Sequence, residues 1–335
     1  RQYNLGFELG LFNNRIRLEG DFYDSQSLDL LLNVPVPTIT GYSTQMQNIG
    51  KVQNRGMEFT LNTKNLTGEF AWSSNFNISF NKNKVLEVGV DGRPIYGSAA
   101  NANNAFITKP GYPIASFYGY KYIGVFQSEE ELAKYPHLSG DKVGDGRYED
   151  VNKDGVLDQN DKTILGDNNP LFTAGFSNSF SYKNFTLDIQ FTGSYGAEVF
   201  SFYKRMCGIY HGDRNGMIEQ LGRWQSKDQP GDGIHFRPTR TPSGWQRDPS
   251  SAWVQDASYL RLRNLTLGYN FDQKVLDKMK MKGLRLYVTG QNLFTITNYV
   301  GYDPETSSES GLAQGGDYLG YPAARSFIIG ANITF

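Results

Sequence analysis

Several absences narrow this chain of 335 residues before any motif is read. No run of about 18 apolar residues occurs, so no membrane-crossing helix is expected. Excess charge of either sign is missing too: 33 Lys and Arg offset 34 Asp and Glu. Without a basic face to neutralise phosphates, nucleic acid is not an expected partner. Cysteine is almost absent, and the single Cys207 can form no internal disulfide; nothing beside it suggests a nucleophile. His137, His211 and His235 lie apart without metal-ligand spacing and read as ordinary polar residues. No nucleophile–base pair and no nucleotide-binding loop occurs, so no enzyme is expected. No secretory leader opens the chain. Arg1-Gln2-Tyr3-Asn4-Leu5-Gly6 reads as a strand already under way, as expected of a fragment.

What is present suits β structure. Aromatics make up 14% of the chain, with 22 Phe and 21 Tyr, and 37 Gly accompany them. The dominant pattern is period-two alternation in segments of about ten residues, as a transmembrane β-strand requires. At the end of the chain Phe327, Ile329, Ala331, Ile333 and Phe335 share one face, while Ser326, Gly330, Asn332 and Thr334 share the other. Phe185, Leu187, Ile189 and Phe191 alternate with Thr186, Asp188, Gln190 and Thr192. Comparable segments start at Leu5, Met57, Phe70, Phe172, Leu265 and Leu284, and about nine strands result.

A soluble β-sandwich also alternates, so the connections decide. Very short turns stand at Asn13-Asn14, Asn65–Gly68 and Lys183-Asn184. Long links cover 32–48, 83–170, 197–252 and 297–320, with one modest exception at 272–283. Short turns at one rim and long loops at the other are the asymmetry of outer-membrane barrels. The expected fold is all-β: the C-terminal portion of an antiparallel transmembrane β-barrel spanning 1–335, with long extracellular loops. Nine strands cannot close a bacterial barrel of even strand number, so the remaining strands are expected upstream. Arg15, Arg17, Glu19 and Asp21 are expected to face a wet lumen.

Several motifs resemble the SusC/RagA family of TonB-linked outer-membrane proteins. They are Asn48-Ile49-Gly50-Lys51-Val52-Gln53-Asn54-Arg55-Gly56-Met57-Glu58, Phe117-Tyr118-Gly119-Tyr120 with Gly124-Val125-Phe126, and Gly144-Asp145-Gly146-Arg147-Tyr148-Glu149-Asp150. Leu260–Tyr269, Gly290-Gln291-Asn292-Leu293-Phe294 and Gly301-Tyr302-Asp303-Pro304-Glu305 follow in order. The resemblance implies a plugged barrel of about 22 strands in the bacterial outer membrane. It also implies import of a nutrient, an oligosaccharide or in some members a peptide. Partners implied are the TonB complex, acting on an N-terminal plug outside this chain, and a SusD-like surface lipoprotein acting as a lid. A passive porin and a soluble calcium-dependent carbohydrate-binding β protein remain as rivals.

Two loop features invite ligands. Asp150–Asp161 matches a calcium loop of the EF-hand type at positions 1, 3, 5, 6 and 12. Hard Ca²⁺ takes several oxygens: Asp150, Asn152 and Asp154 supply them from alternate residues, with the Val156 carbonyl, Asp158 and Asp161 completing the set. Asp at position 12 shortens the reach of the usual Glu, and an ion-free Asx-rich turn is the alternative. A structural Ca²⁺ is expected. Aromatics of the same loops, Tyr112, Tyr118, Tyr120, Trp224 and Tyr302, are candidate substrate contacts beside Phe117, Tyr122 and Tyr210. Packing within the loops or against the lid is the alternative for each ring. A capping-box pattern at Ser128 predicts a short helix, and another is expected from Asn215 to Trp224.

Overall fold

The computed structural model describes residues 1–35, 39, 41–42, 44–88, 92–99, 102–208, 215–238, 249–305 and 311–335, so Tyr210 and His211 lie outside it. Nine strands form one antiparallel sheet in chain order. They are β1 (Gln2–Leu11), β2 (Ile16–Pro35), β3 (Thr44–Leu66), β4 (Phe70–Glu87), β5 (Phe172–Tyr182), β6 (Phe185–Tyr195), β7 (Tyr259–Asn270), β8 (Gly283–Thr297) and β9 (Ser326–Thr334). β1 and β9 each have one neighbour within the chain. An open edge cannot stand in hydrocarbon, where every backbone N–H and C=O needs a partner. The sheet is therefore one arc of a larger barrel.

Register shows why the alternation is so regular. Phe185, Leu187 and Ile189 of β6 stand opposite Tyr269, Leu267 and Leu265 of β7 on one side, and opposite Tyr182, Phe180 and Asn178 of β5 on the other. Directly opposed side chains share a face, so the apolar sets of neighbouring strands merge into one band. Among the described residues no second sheet covers it: Phe185 is 52% exposed and Phe327 is 73% exposed. The band has clear limits. Phe185, Tyr269 and Phe271 form an aromatic belt at the short-turn rim, with centroids 4.9 and 5.0 Å apart. At the long-loop end the apolar face gives way to the row Asp24–Arg55–Lys82, where Arg55 and Asp24 pair at 2.6 Å. Between them, Phe70 to Phe80 of β4 covers about 33 Å of strand at ~3.3 Å per residue, or about 25 Å of height at a tilt near ~40°. That height matches the apolar band of an outer-membrane barrel.

One row breaks the pattern. Thr63, Ser74 and Asn178 stand side by side on the lipid face. The Asn178 Oδ1 accepts from Trp72 Nε1 at 2.9 Å and from Ser74 Oγ at 2.7 Å, while Asn65 Nδ2 donates to Ser74 at 2.8 Å. Mutual hydrogen bonding offsets the cost of polar groups facing hydrocarbon.

The opposite face is wet and laddered across strands. Asn75 donates to Asn62 at 2.6 Å, Asn264 to Gln190 at 2.8 Å, and Arg17 pairs with Glu19 at 2.8 Å and Glu8 at 3.1 Å. Arg15 sits at the rim of this wet face, lining it with Glu8, Arg17 and Asn62. It belongs to the first turn, where its guanidinium donates to the Asn65 carbonyl at 3.0 Å and ties two neighbouring turns together. Asn13 and Asn14 (φ 56° and 59°) make that turn, because Asn tolerates left-handed backbone.

Two boundaries differ from the sequence reading. β2 and β3 run well into the link placed at 32–48, leaving only the stretch between Pro35 and Thr44 as connection. The 272–283 link holds a helix, Gln273–Met279.

At the long-loop end the connections fold together into a cap. Ile95–Ala99, Ala102–Thr108, Ser116–Gly119 and Thr163–Gly166 form a four-stranded sheet. Phe106 and Phe117 from this sheet meet Phe200 and Phe202 from the second long loop, with centroids 5.1 to 6.4 Å apart. Ala313 from the last loop joins the same cluster. The packed apolar clusters of the described residues all lie at this end of the molecule.

Candidate functional site

The cap over the wet face is the place where a ligand can meet ordered side chains. Its first helix, Glu129–Lys134, starts where the sequence pattern puts it: the Ser128 hydroxyl accepts from the Glu131 amide at 3.3 Å. The helix expected over Asn215–Trp224 shrinks to a single 3₁₀ turn, Ile218–Gly222, whose first cap, Met217, offers no side-chain acceptor. A short helix at Phe202–Gly208 has no periodic signature and was not expected.

The Asp150–Asp161 loop adopts a tightly self-bonded path. The Asp150 carboxylate accepts the amides of Lys153 and Gly155 at 2.7 and 2.9 Å, and Asn152 Oδ1 accepts the Asp154 amide at 2.9 Å. Asp154 accepts from Val156 at 2.8 Å, and Asp158 from Asn160 at 2.7 Å. Gly155 (φ 83°) permits the reversal. Asp161 is fully buried, holding the amides of Val151 and Asp158 at 2.9 and 2.8 Å. The backbone path thus suits a cation loop, but among the described residues no three acidic or imidazole side chains converge as a metal site. Asn152 Nδ2 also points a donor at Asp154, 2.8 Å away. The loop closes on its own hydrogen bonds.

Its foot explains a correction. Leu157 packs with Tyr120 and Tyr148, the two rings edge-to-face at 5.9 Å. Tyr120, proposed from sequence as a substrate contact, is 1% exposed. It is a footing for the loop and offers no face to a ligand. The other four rings have separate surroundings. Tyr112 is exposed with Lys109 Nζ 4.5 Å from its ring. Tyr118 pairs with Tyr96 at 5.8 Å, and burial, with Tyr96 beside it, raises its phenol above the ordinary value. Trp224 leans on the cap core, and Tyr302 is exposed, with Tyr203 at 6.2 Å.

Two features were missed because they join distant segments. Arg261, almost buried at the top of β7, pairs with Asp303 and Glu305 of the last long loop at 2.6 Å each, and donates to Thr295 at 2.8 Å. Arg263 holds the same Glu305. Bidentate reach across two carboxylates suits a guanidinium fork. Burial pushes the Asp303 carboxyl up, but Arg261 and the amides of Ala323 and Glu305 outweigh it and hold the group below its ordinary value. The second is a cavity of about 230 Å³ between Trp253, Phe236, Tyr122, Glu219, His235 and Lys204. The Tyr122 hydroxyl is spent on the Ile234 carbonyl at 2.5 Å. Burial, with Asp232 nearby, pushes that phenol up.

Comparison with known proteins follows the same outline. The family model described as TonB dependent receptor-like, beta-barrel, matches residues 1–293. TonB-dependent receptor P3 of Formosa agariphila is 36% identical over all of this chain and 34% of its own length. TonB-dependent receptor P26 of the same organism is 34% identical over 99% of the chain and 34% of its length. TonB-dependent receptor SusC of Bacteroides thetaiotaomicron is 29% identical over 99% of the chain and 31% of its length. The chain thus spans about a third of the curated relatives it matches. A solved structure of the RagAB peptide transporter superposes with a TM-score of 0.82 at 23% identity, covering all of this chain and 35% of that one. Its fold is that of this chain.

Proposed function

The chain belongs to the TonB-dependent receptor β-barrel family of the bacterial outer membrane, and from that premise we propose that the whole protein actively imports an oligosaccharide. The observation carrying this reading is the cap: three long loops share one aromatic core above a hydrogen-bonded, water-facing wall. The TonB complex supplies the energy through the plug, and a SusD-like lipoprotein closes the outer face. Ile218, Leu221 and Ile234, all strongly exposed on the second long loop, suit such a lid. Uptake of labelled oligosaccharide by cells should stop when the gene is deleted or when a protonophore collapses the proton gradient. Uptake indifferent to the protonophore would return the protein to the porin class, and uptake confined to oligopeptides would replace the substrate.

Calcium belongs to the same proposal as a structural ion for the 150–161 loop. Asp150, Asn152, Asp154, Asp158 and Asp161, with the Val156 carbonyl, would hold it. A carboxylate oxygen carries two lone pairs, so accepting an amide leaves capacity for a cation. Titration calorimetry of the purified receptor should register Ca²⁺, with the heat lost in Asp154→Ala. Silence at millimolar Ca²⁺ removes the ion and leaves the loop as a self-bonded turn.

A further inference from the structure

The membrane face of the wall ends at the long-loop rim in a charged groove. Phe22, Met57 and Phe80 stand side by side as the last apolar row of β2, β3 and β4. Two residues further along the same face comes the row Asp24–Arg55–Lys82, and beyond it Gln26, Gln53 and Lys84. A groove of about 750–950 Å³ would be ample for a lipid headgroup and the first part of its chains, and the groove here measures about 950 Å³. Each strand enters its lining with membrane-face residues at both ends of the stretch: Tyr3 and Leu5 of β1, Arg55 and Met57 of β3, Phe80 and Lys84 of β4. The groove therefore opens toward lipid and not toward the lumen. Pro170 and Leu171, just before β5, close its far side.

The two signs of charge in this groove are not equally free. Asp24 is occupied, accepting from Gln53 Nε2 at 2.8 Å and from Arg55 Nε at 2.6 Å. Asp167, the other acid of the lining, accepts the amide and the side-chain N–H of Asn169 at 2.9 and 2.8 Å. Lys82 and Lys84 are exposed and have no carboxylate partner among the described residues. At ~3.3 Å per residue and a tilt near ~40°, they stand about 5 and 10 Å above the Phe80 row, which brackets the headgroup layer. A lysine so placed lays its aliphatic stem on apolar surface and presents its ammonium to the polar layer.

We propose that this groove binds a phosphorylated lipid of the outer leaflet, its phosphate on Lys82 and Lys84 and its acyl chains over Phe22, Met57 and Phe80. The two halves of such a molecule match the two halves of the groove. A phosphate oxygen accepts from ammonium N–H groups and neutralises them, while hydrocarbon covers Leu5, Phe22 and Met57, all exposed in the chain alone. A lipid without phosphate would leave both lysines unpaired, and a free phosphate ion would gain nothing from the apolar floor. The site lies outside the barrel, and its occupancy does not depend on what the receptor imports.

The test uses the full-length receptor in a neutral maltoside detergent, with bound lipid counted by native mass spectrometry. The probes are diphosphorylated lipid A, the same lipid A with its phosphates removed, and phosphatidylcholine. Diphosphorylated lipid A should be retained and the dephosphorylated form lost. Changing both Lys82→Gln and Lys84→Gln should weaken retention about thirtyfold, and Arg at both positions should restore it, with heat-modified mobility on gels the same throughout. Lys121→Gln, which removes a cap lysine paired with Glu149 at 2.6 Å, should change nothing. Equal retention of the phosphorylated and dephosphorylated forms overturns the assignment, as does a loss in Lys121→Gln as large as in the double variant. Full displacement of lipid A by about 10 mM inorganic phosphate would reduce the groove to an ion site and overturn it too. So would a receptor dimer, free of lipid, that requires the two lysines.

Discussion

The wall and the cap use the same side chains to opposite ends. Phe185 and Phe327 of the wall turn outward and stay exposed, whereas Phe106 and Phe117 of the cap are fully buried. Among the described residues the wall packs an apolar cluster only where it meets the loops, at Val52 and Val85; elsewhere its apolar face is meant for hydrocarbon and its backbone is satisfied strand to strand. The cap stands in water and must bury its own aromatics. One chain thus carries two solutions to the same hydrophobic effect, set by which solvent lies outside.

The sharpest way to separate the two is to damage each alone. Phe117→Ala should cost the cap about 3–5 kcal/mol, because a large ring is lost from a closed cluster. Limited proteolysis should then cut the loops while heat-modified mobility of the barrel on gels stays unchanged; loss of both together would mean that wall and cap are one cooperative unit. In the wall, Leu187→Lys places a charge against lipid and should cost about 2–4 kcal/mol near mid-membrane. Asp188→Asn, one residue away on the wet face, should be nearly silent in the same denaturant titration in lipid vesicles. Equal effects from the pair would reverse the assigned faces.

A smaller effect is expected at the one polar row on the lipid face. Asn178→Leu leaves the Trp72 indole N–H without its acceptor and should cost about 1–3 kcal/mol despite adding apolar surface. A gain in stability would show that the hydrogen bonds there do not matter.

The mildest test reads the junction of wall and cap through pH. The folded-state Asp303 carboxyl lies below its ordinary value, so its contribution is present above the unfolded value of about 3.9 and is lost as pH falls through and below it. Hydrogen exchange over 297–320 should accelerate in that acid range. In Asp303→Asn the segment should exchange faster already at neutral pH, with a flatter acid limb.

These contrasts track what could be read from sequence. The nine wall strands were legible because a two-residue period is imposed residue by residue along each strand, and the short turns marked their ends. Asn178 escaped notice because its neighbours Phe176 and Phe180 carry the alternation past it. The cap was opaque for a different reason. Its strands are mostly three to seven residues long, too short for a period to show, and its order comes from contacts between separate loops. Leu260–Tyr269 and Gly301–Glu305 were each noticed as motifs, but their ion pairs join them only in space. Tyr120 was misread for the same reason, since an aromatic in a loop motif looks alike whether it faces solvent or a neighbouring loop.

The shared cap core also bears on how the molecule reaches its final form. Ala102, Phe200 and Ala313 arrive from three hairpins far apart in the chain, so their cluster closes only after the intervening strands have found their partners. A slip of one residue in any hairpin would turn its greasy side chains to water and displace its loop from the cluster. The cap core is thus compatible with only one register of the three hairpins, and a protease-resistant cap should accompany a correctly zipped wall.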